Sequence, residues 1–311
     1  MTKKYGDEKM NQTLEQILTV EAADGAFGQA DAVLEQTLRD FIELQSTTIA
    51  VGTKVVGVRS VPYLEFTYYS GAEGTFTYPL ADNAVADPTK IGTASYSVHL
   101  KKGQGRCIFL DSTLLRGETF ENMDRQQMAI VRNRAAVIDN LIISALIDGA
   151  GQSVVVAGGA EWDSGSGDAE KNILDAMDSI FTNGRVSGDE PIAIILPTTA
   201  RSTLMQTTLY GNVVESLADN LSRKMNITFY YSRDALLADT ALVLIPGAET
   251  AEFLQYNGDG FQETELTRIP GVGFDWMLTG YMACVVHEHQ DGQTAGSGKN
   301  NRICKITNIT A

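Results

Sequence analysis

The stretch DRQQMAIVRNRAAVIDNLIISALIDGA, residues 124–150, constrains the fold more than any other part of the chain. Met128, Val131, Ala135, Ile138, Ile142 and Ala145 recur at three- and four-residue spacing, so they share one stripe of an α-helix. Arg125, Arg132, Arg134 and Asp139 fall on the opposite face. The pattern predicts a helix of roughly 25 residues, closed at Gly149 by the residue type that best tolerates a C-cap backbone. At about 1.5 Å per residue it runs ~38 Å, longer than most helices of a compact domain, and it can act as a strut.

Two kinds of segment precede it. Residues 1–46 carry short amphipathic patterns around Leu14-Ile17-Leu18 and Leu34-Leu38-Phe41-Ile42, separated by the glycine-punctuated EAADGAFGQAD. Neither stripe can be buried within the segment itself, which makes this an arm that packs on the chain's own body or on a neighbouring subunit. From Val61 to Cys107 the period changes to two. Leu64, Phe66 and Tyr68 share one strand face and Glu65, Thr67 and Tyr69 the other. After the polar linker ADNAVADPTKIG, Ala94, Tyr96, Val98 and Leu100 alternate with Thr93, Ser95, Ser97 and His99. An isolated two-stranded excursion is marginal in water, so it needs a partner surface, either its own domain or a neighbour.

Beyond the helix and the loop-like VVVAGGAEWDSGSGD, helix and strand patterns alternate. Ile173, Met177, Ile180 and Phe181 form a helix stripe with Asp168 as N-cap and Gly184 near its stop. Strands are expected at 192–196 (IAIIL), 227–231 (ITFYY) and 241–245 (ALVLI), with a helix in ARSTLMQ after the turn Pro197-Thr198-Thr199. This is an α/β unit. The remainder reads as β: FLQY, FQETEL, FDWMLTGYMACVVHEH and RICKITNI.

Motifs for chemistry are sought and excluded on spacing. GQTAGSGKNN, 292–301, fails as a phosphate loop because Gly292 lies one residue too far from Gly298-Lys299 and Asn300 replaces the magnesium-binding hydroxyl. It reads as a solvated hairpin tip between two strands. His287 and His289 share a strand face, but no third metal ligand is placed beside them, and DSGSGD lacks the ligand pattern of a calcium loop. Three histidines in 311 residues leave few ways to build a histidine-dependent site. A formal charge of −15 argues against non-specific binding of polyanions. Cys107, Cys284 and Cys304 are odd in number without metal spacing, which fits free thiols. No apolar run approaches the length of a membrane-spanning helix.

The order of arm, β excursion, long helix, α/β unit and late β run resembles the major capsid protein of tailed double-stranded DNA viruses, a fold shared with encapsulin nanocompartments. The local carriers are the 124–149 helix, the strand-turn-helix IAIILPTTARSTLMQ, and the tail AEFLQYNGDGFQETELTRIPGVGFDWMLTGYMACVV. The resemblance implies an α+β fold in seven segments. An N-arm occupies 1–46, a first P-domain part 47–61, and an extended β-hairpin E-loop 62–108. The P-domain with its spine helix follows at 109–152, an α/β A-domain at 153–271, a P-domain return strand at 272–290, and a C-terminal hairpin and strand at 291–311.

The implied function is structural rather than enzymatic and needs no cofactor. Subunits form hexamers and pentamers that close into an icosahedral shell around packaged double-stranded DNA, assembled in the host cytoplasm and located in the virion. Implied partners are further copies of the chain, a scaffolding protein, a portal and a decoration protein, with DNA enclosed without sequence-specific binding and no membrane. No N-terminal scaffolding domain is recognisable, which points to a separate scaffold or a prior cleavage. For subunit contacts we single out Leu34, Leu38 and Phe41 of the arm, and Tyr63, Phe66, Tyr68, Tyr69, Tyr96 and His99 of the loop. Lys101, Lys102 and Arg106 at the loop base are candidates for ion pairs with a neighbour's acidic groups, or form a solvated turn. Alternatives are an encapsulin-type compartment shell, another virion or tail component, or an α/β enzyme with a site at the strand ends of residues 150–250.

Overall fold

The computed structural model describes residues 46–71, 93–110, 119–164, 167–184, 186–210, 213–256, 265–269, 273–287 and 298–310. The chain divides into two compact units. The larger comprises Ala50–Lys101, Ala136–Asn257 and Met282–Ala311, and the smaller Met1–Ile49, Lys102–Ala135 and Gly258–Tyr281. The expected arm, with Leu34, Leu38 and Phe41, lies outside the described residues.

At the heart of the larger unit is a five-stranded mixed sheet. Its strands are β5 (Ala150–Val155), β14 (Asn300–Thr307), β10 (Thr240–Leu244), β6 (Ile192–Pro197) and β9 (Ile227–Ser232), in that spatial order. β14 runs parallel to β5 and antiparallel to β10, while β6 is antiparallel to β10 and parallel to β9. Every residue of β6 is buried, as a near-continuous apolar run demands of a strand covered on both faces. Helix α2 (Ala169–Asn183) lays Ile173, Ala176, Met177 and Ile180 into a core shared with Trp162, Val243 and Ile306.

The punctuation foreseen for α2 is present. The Asp168 carboxylate accepts from the Lys171 N–H at 2.9 Å, and the Gly184 N–H closes the last turn on the Ile180 carbonyl at 2.7 Å. A further helix, α3 (Leu217–Met225), is fixed by Ser216, whose hydroxyl accepts from the Asp219 N–H at 3.1 Å, and ends at Asn226 in the left-handed region. The expected ARSTLMQ helix is a single turn, Arg201–Leu204, because the chain leaves at once for the short strands β7 (Thr207–Tyr210) and β8 (Val213–Ser216).

The long helix, α1 (Thr119–Gly149), has 31 residues, extending several residues upstream of the apolar pattern. Ile138, Ile142, Ile143 and Leu146 are fully buried in the larger unit, and Val131 and Ala135 are buried in the smaller. Within the larger unit β1 (Val56–Val61) runs parallel to β11 (Gly247–Tyr256), which pairs antiparallel with residues 282–286 of β13 (Gly273–Val286). A Cβ on Gly57 would lie 2.6 Å from the Ala248 Cβ, so this close approach requires glycine where the β1/β11 register shifts. In the smaller unit β12 (Glu265–Ile269) pairs antiparallel with residues 273–277 of β13, and β4 (Lys101–Leu110) also pairs with β13.

The C-terminal region differs from expectation. β13 and β14 belong to different sheets and do not pair, and the expected hairpin tip at 292–297 lies outside the described residues. β14 instead is an interior strand of the α/β sheet, between β5 and β10, with Ile303, Cys304 and Ile306 fully buried. An apolar alternating strand carries no mark of which sheet it joins, and only pairing decides it.

Candidate functional site

The alternation at 64–69 and 93–100 forms what it predicts: β2 (Glu65–Gly71) and β3 (Thr93–His99) pair antiparallel in their own two-stranded sheet. The hairpin is closed at its base by the Leu100 N–H donating to the Leu64 carbonyl at 2.9 Å. Period-two patterning puts Phe66, Tyr68, Tyr96 and Val98 on one face. Tyr68 and Tyr96 stack with ring centroids 5.6 Å apart and planes 18° apart, and Phe66 meets Tyr68 edge-on at 5.1 Å.

That aromatic face ends on a polar cluster of the same unit. The Tyr68 hydroxyl donates to Glu252 Oε2 at 2.5 Å, and Tyr96 Oη lies 3.3 Å from His287 Nδ1. His287 Nε2 is 3.5 Å from the same Glu252 oxygen, Arg59 Nη1 is 3.8 Å from it, and the imidazole packs edge-on against Tyr68 at 5.1 Å. One mostly buried carboxylate on β11 thus collects Tyr68 from the hairpin, Arg59 from β1 and His287 from the end of β13. Burial first, then the hydrogen bond to Glu252, hold the Tyr68 phenol far above its ordinary pKa. It is therefore a neutral donor facing a carboxylate, the stronger kind of hydrogen bond.

A cleft of about 520 Å³ adjoins the hairpin foot. Tyr96 to His99 of β3, Leu141, Ala145 and Asp148 of α1, and Met282 to Val286 of β13 line it. Lys299 donates from Nζ to the Asp148 carbonyl, so the lysine of the glycine-rich stretch caps the end of α1 rather than a phosphate.

The sequence-predicted residues divide accordingly. Tyr63 is 69% exposed, the largest exposure among the bulky apolar side chains described. Phe66, Tyr68 and Tyr96 are half-buried, and the two tyrosine hydroxyls are engaged within the chain, where a polar partner stands directly beneath them. His99 is exposed and sits 3.6 Å from its cross-strand neighbour Glu65. Tyr69 pairs through its backbone with Ser95. Lys101 and Lys102 are exposed at the start of β4. Arg106 meets an acid of its own chain in the smaller unit: Nε donates to both Asp275 oxygens at 2.8 and 3.0 Å, and Nη2 donates to Oδ2. The pairing holds the Asp275 carboxyl below the usual carboxylate range. Glu252, Arg59 and the role of His287 were missed from sequence, since a single glutamate among 39 acidic residues carries no pattern.

Among the described residues no cluster of three or more His, Cys, Asp or Glu is placed to hold a metal ion. His287 takes the contacts above, while Glu288 and His289 lie outside the described residues. No described helix is long and apolar enough to cross a membrane.

A two-stranded hairpin in a sheet of its own, a 31-residue helix and a separate α/β sheet define a class: the chain has the α+β fold of the shell-forming capsid proteins of tailed viruses. Among solved structures, the virus-like particle protein of Pyrococcus furiosus aligns at a TM-score of 0.60 with 8% identity, covering 86% of this chain and 97% of that one. The capsid of a native GTA particle gives 0.58 at 9% identity, covering 84% and 91%. The capsid of the Myoviridae phage XM1 gives 0.54 at 14% identity, covering 81% and 89%. No protein-family model and no curated sequence matches the chain, so the likeness rests on fold alone.

Proposed function

We propose that this chain is the major shell protein of an icosahedral particle, with a structural and not a catalytic role. The observation that carries the proposal is the extent of the fold likeness: shell proteins align over more than four-fifths of this chain and nearly all of their own length. Hexamers and pentamers are the assembly units of this reading. The arm residues Leu34, Leu38 and Phe41 and the hairpin residues Tyr63, Phe66, Tyr69 and His99 supply contacts between copies. Lys101 and Lys102 supply ion pairs, Arg106 adds its remaining donors at the same edge, and Tyr68 and Tyr96 serve by holding the hairpin in place.

The enclosed cargo is double-stranded DNA, and the virion is the location. A charge of −15 suits a wall that encloses a polyanion delivered by other components without gripping it. A scaffolding protein, portal and decoration protein are the partners this reading adds. The likeness to a virus-like particle supports the second reading, a compartment shell around protein cargo.

Sedimentation velocity of the expressed chain, followed by negative-stain electron microscopy of the heaviest fraction, tests both. Closed shells or capsomer rings support a shell protein, and the 260/280 nm absorbance ratio of natively purified particles separates nucleic acid from protein cargo. A chain that stays monomeric with crowding agents and scaffold present overturns the proposal.

A further inference from the structure

The geometry points to Glu252 as a latch that sets the angle at which the β2–β3 hairpin leaves the larger unit. Three observations combine. First, the hairpin forms a sheet of its own and joins no neighbouring sheet, so no ladder fixes its direction. Second, its connections to the body are short and lie side by side: Pro62 to Leu64 on one leg and the single residue Leu100 on the other, tied by the Leu100–Leu64 hydrogen bond. Those few residues make a hinge. Third, the β3 leg borders the cleft of about 520 Å³, which residues of α1 also line, so there is room for the foot to move.

What opposes movement is the cluster above the hinge. The Tyr68 hydroxyl on Glu252 and Tyr96 on His287 engage both legs, and the two anchor residues are joined through the 3.5 Å approach of His287 Nε2 to Glu252. With the proton of neutral His287 on Nε2, the Tyr96 hydroxyl donates to Nδ1 and the imidazole donates to Glu252. With both nitrogens protonated, Tyr96 becomes the acceptor and the imidazolium faces the carboxylate. Arg59 supplies the compensating positive charge from β1, and Glu65 and His99 face each other lower on the hairpin without touching the cluster. Val98 and Leu100 remain buried at the foot in either position, so the latch sets the hairpin's angle through one carboxylate, and its release leaves a folded hairpin that pivots on that foot.

This inference rests on the shell reading only for its purpose, namely setting the hairpin angle before a neighbouring copy is met. The test does not depend on assembly. Spin labels on Thr67→Cys and Asp175→Cys, both exposed and both within the larger unit, are placed in a Cys107→Ser background, and distances are measured by double electron–electron resonance on dispersed subunits. With Glu252 intact we expect one narrow distance. Glu252→Gln and Tyr68→Phe should each raise the displaced population about tenfold or more, the scale of one hydrogen bond to a charged group. Glu249→Gln, which alters a carboxylate on the same strand paired with Arg302, should leave the distribution unchanged. A distribution that is already broad with the latch intact, that is unmoved by both variants, or that responds to only one of them overturns the latch. Absence of shells with a narrow, Glu252-dependent distance overturns the shell reading alone.

Discussion

Asp139 of the long helix accepts a hydrogen bond from the Gly52 N–H at 2.7 Å, tying the helix to the 3-10 turn Gly52–Lys54 that leads into β1. The same turn needs glycine there, since a Cβ on Gly52 would stand 2.9 Å from three side-chain atoms of Ile142, one helical turn beyond Ile138. A residue whose helical position suggested a solvated face is in fact a half-buried capping group.

Loss of that acceptor has a measurable cost. Asp139→Ala should destabilise the chain by about 1–3 kcal/mol in urea denaturation, because the Gly52 N–H is left without its carboxylate. Burial raises the Asp139 carboxyl above its ordinary value, against the pull of the Gly52 and Val51 N–H groups. The native state thus binds this proton more tightly than the unfolded chain. The favourable contribution is complete below the unfolded value and is lost as pH rises through the folded one. Asp139→Asn keeps an acceptor and removes the titration, so its stability relative to the parent should grow as pH is raised from acid to neutral; a constant difference across that range contradicts the assignment.

The Arg106–Asp275 pair predicts the opposite slope. Asp275 is held low by the Arg106 guanidinium, so its contribution is present above the unfolded carboxylate value and lost as pH falls through the lowered one. A double-mutant cycle of Arg106→Gln and Asp275→Asn should show coupling at neutral pH that vanishes on strong acidification. Coupling that is equal at both ends places the interaction elsewhere.

Cysteine chemistry offers a third check. Burial pushes the Cys284 and Cys304 thiols up to about 12, leaving almost no thiolate at pH 8. In a Cys107→Ser background, reaction with a disulfide reagent should proceed no faster than unfolding and accelerate with added denaturant. Rapid native-state labelling shows that one of these strands opens locally.

The interior strand β14 gives a fourth. Ile306 is fully buried between strands on both sides and packs in the core with Ile173 and Val243. Ile306→Ala should cost roughly 2–5 kcal/mol, while Thr307→Ala on the same strand, only partly buried, should cost under about 1 kcal/mol. Equal effects imply that the sheet order is different.

Periodicity made some of this legible and not the rest. Ile138 and Ile142 announce the long helix, and the alternation around Tyr68 and Tyr96 announces the hairpin, because a single element's pattern reports which face it buries. The Ser216-to-Asp219 cap of α3 went unread, because no long apolar stripe follows it to mark a helix. Long-range pairing left no such trace. Glu252 meets Tyr68 across 184 positions and Asp139 meets Gly52 across 87, and neither acid differs locally from its many neighbours of like charge.

The place of β14 also imposes an order in time. Strand 300–307 lies between β5 and β10, although 144 residues separate the end of β5 at Val155 from its start at Asn300. While a ribosome is still making the chain, β10, β6 and β9 can pair, yet β5 has no edge to join until the last strand of the sheet emerges. A half-made chain is therefore an open sheet. If the chain builds a shell as proposed, it has no finished surface to offer other copies until synthesis ends, and the topology itself holds back growth on unfinished chains.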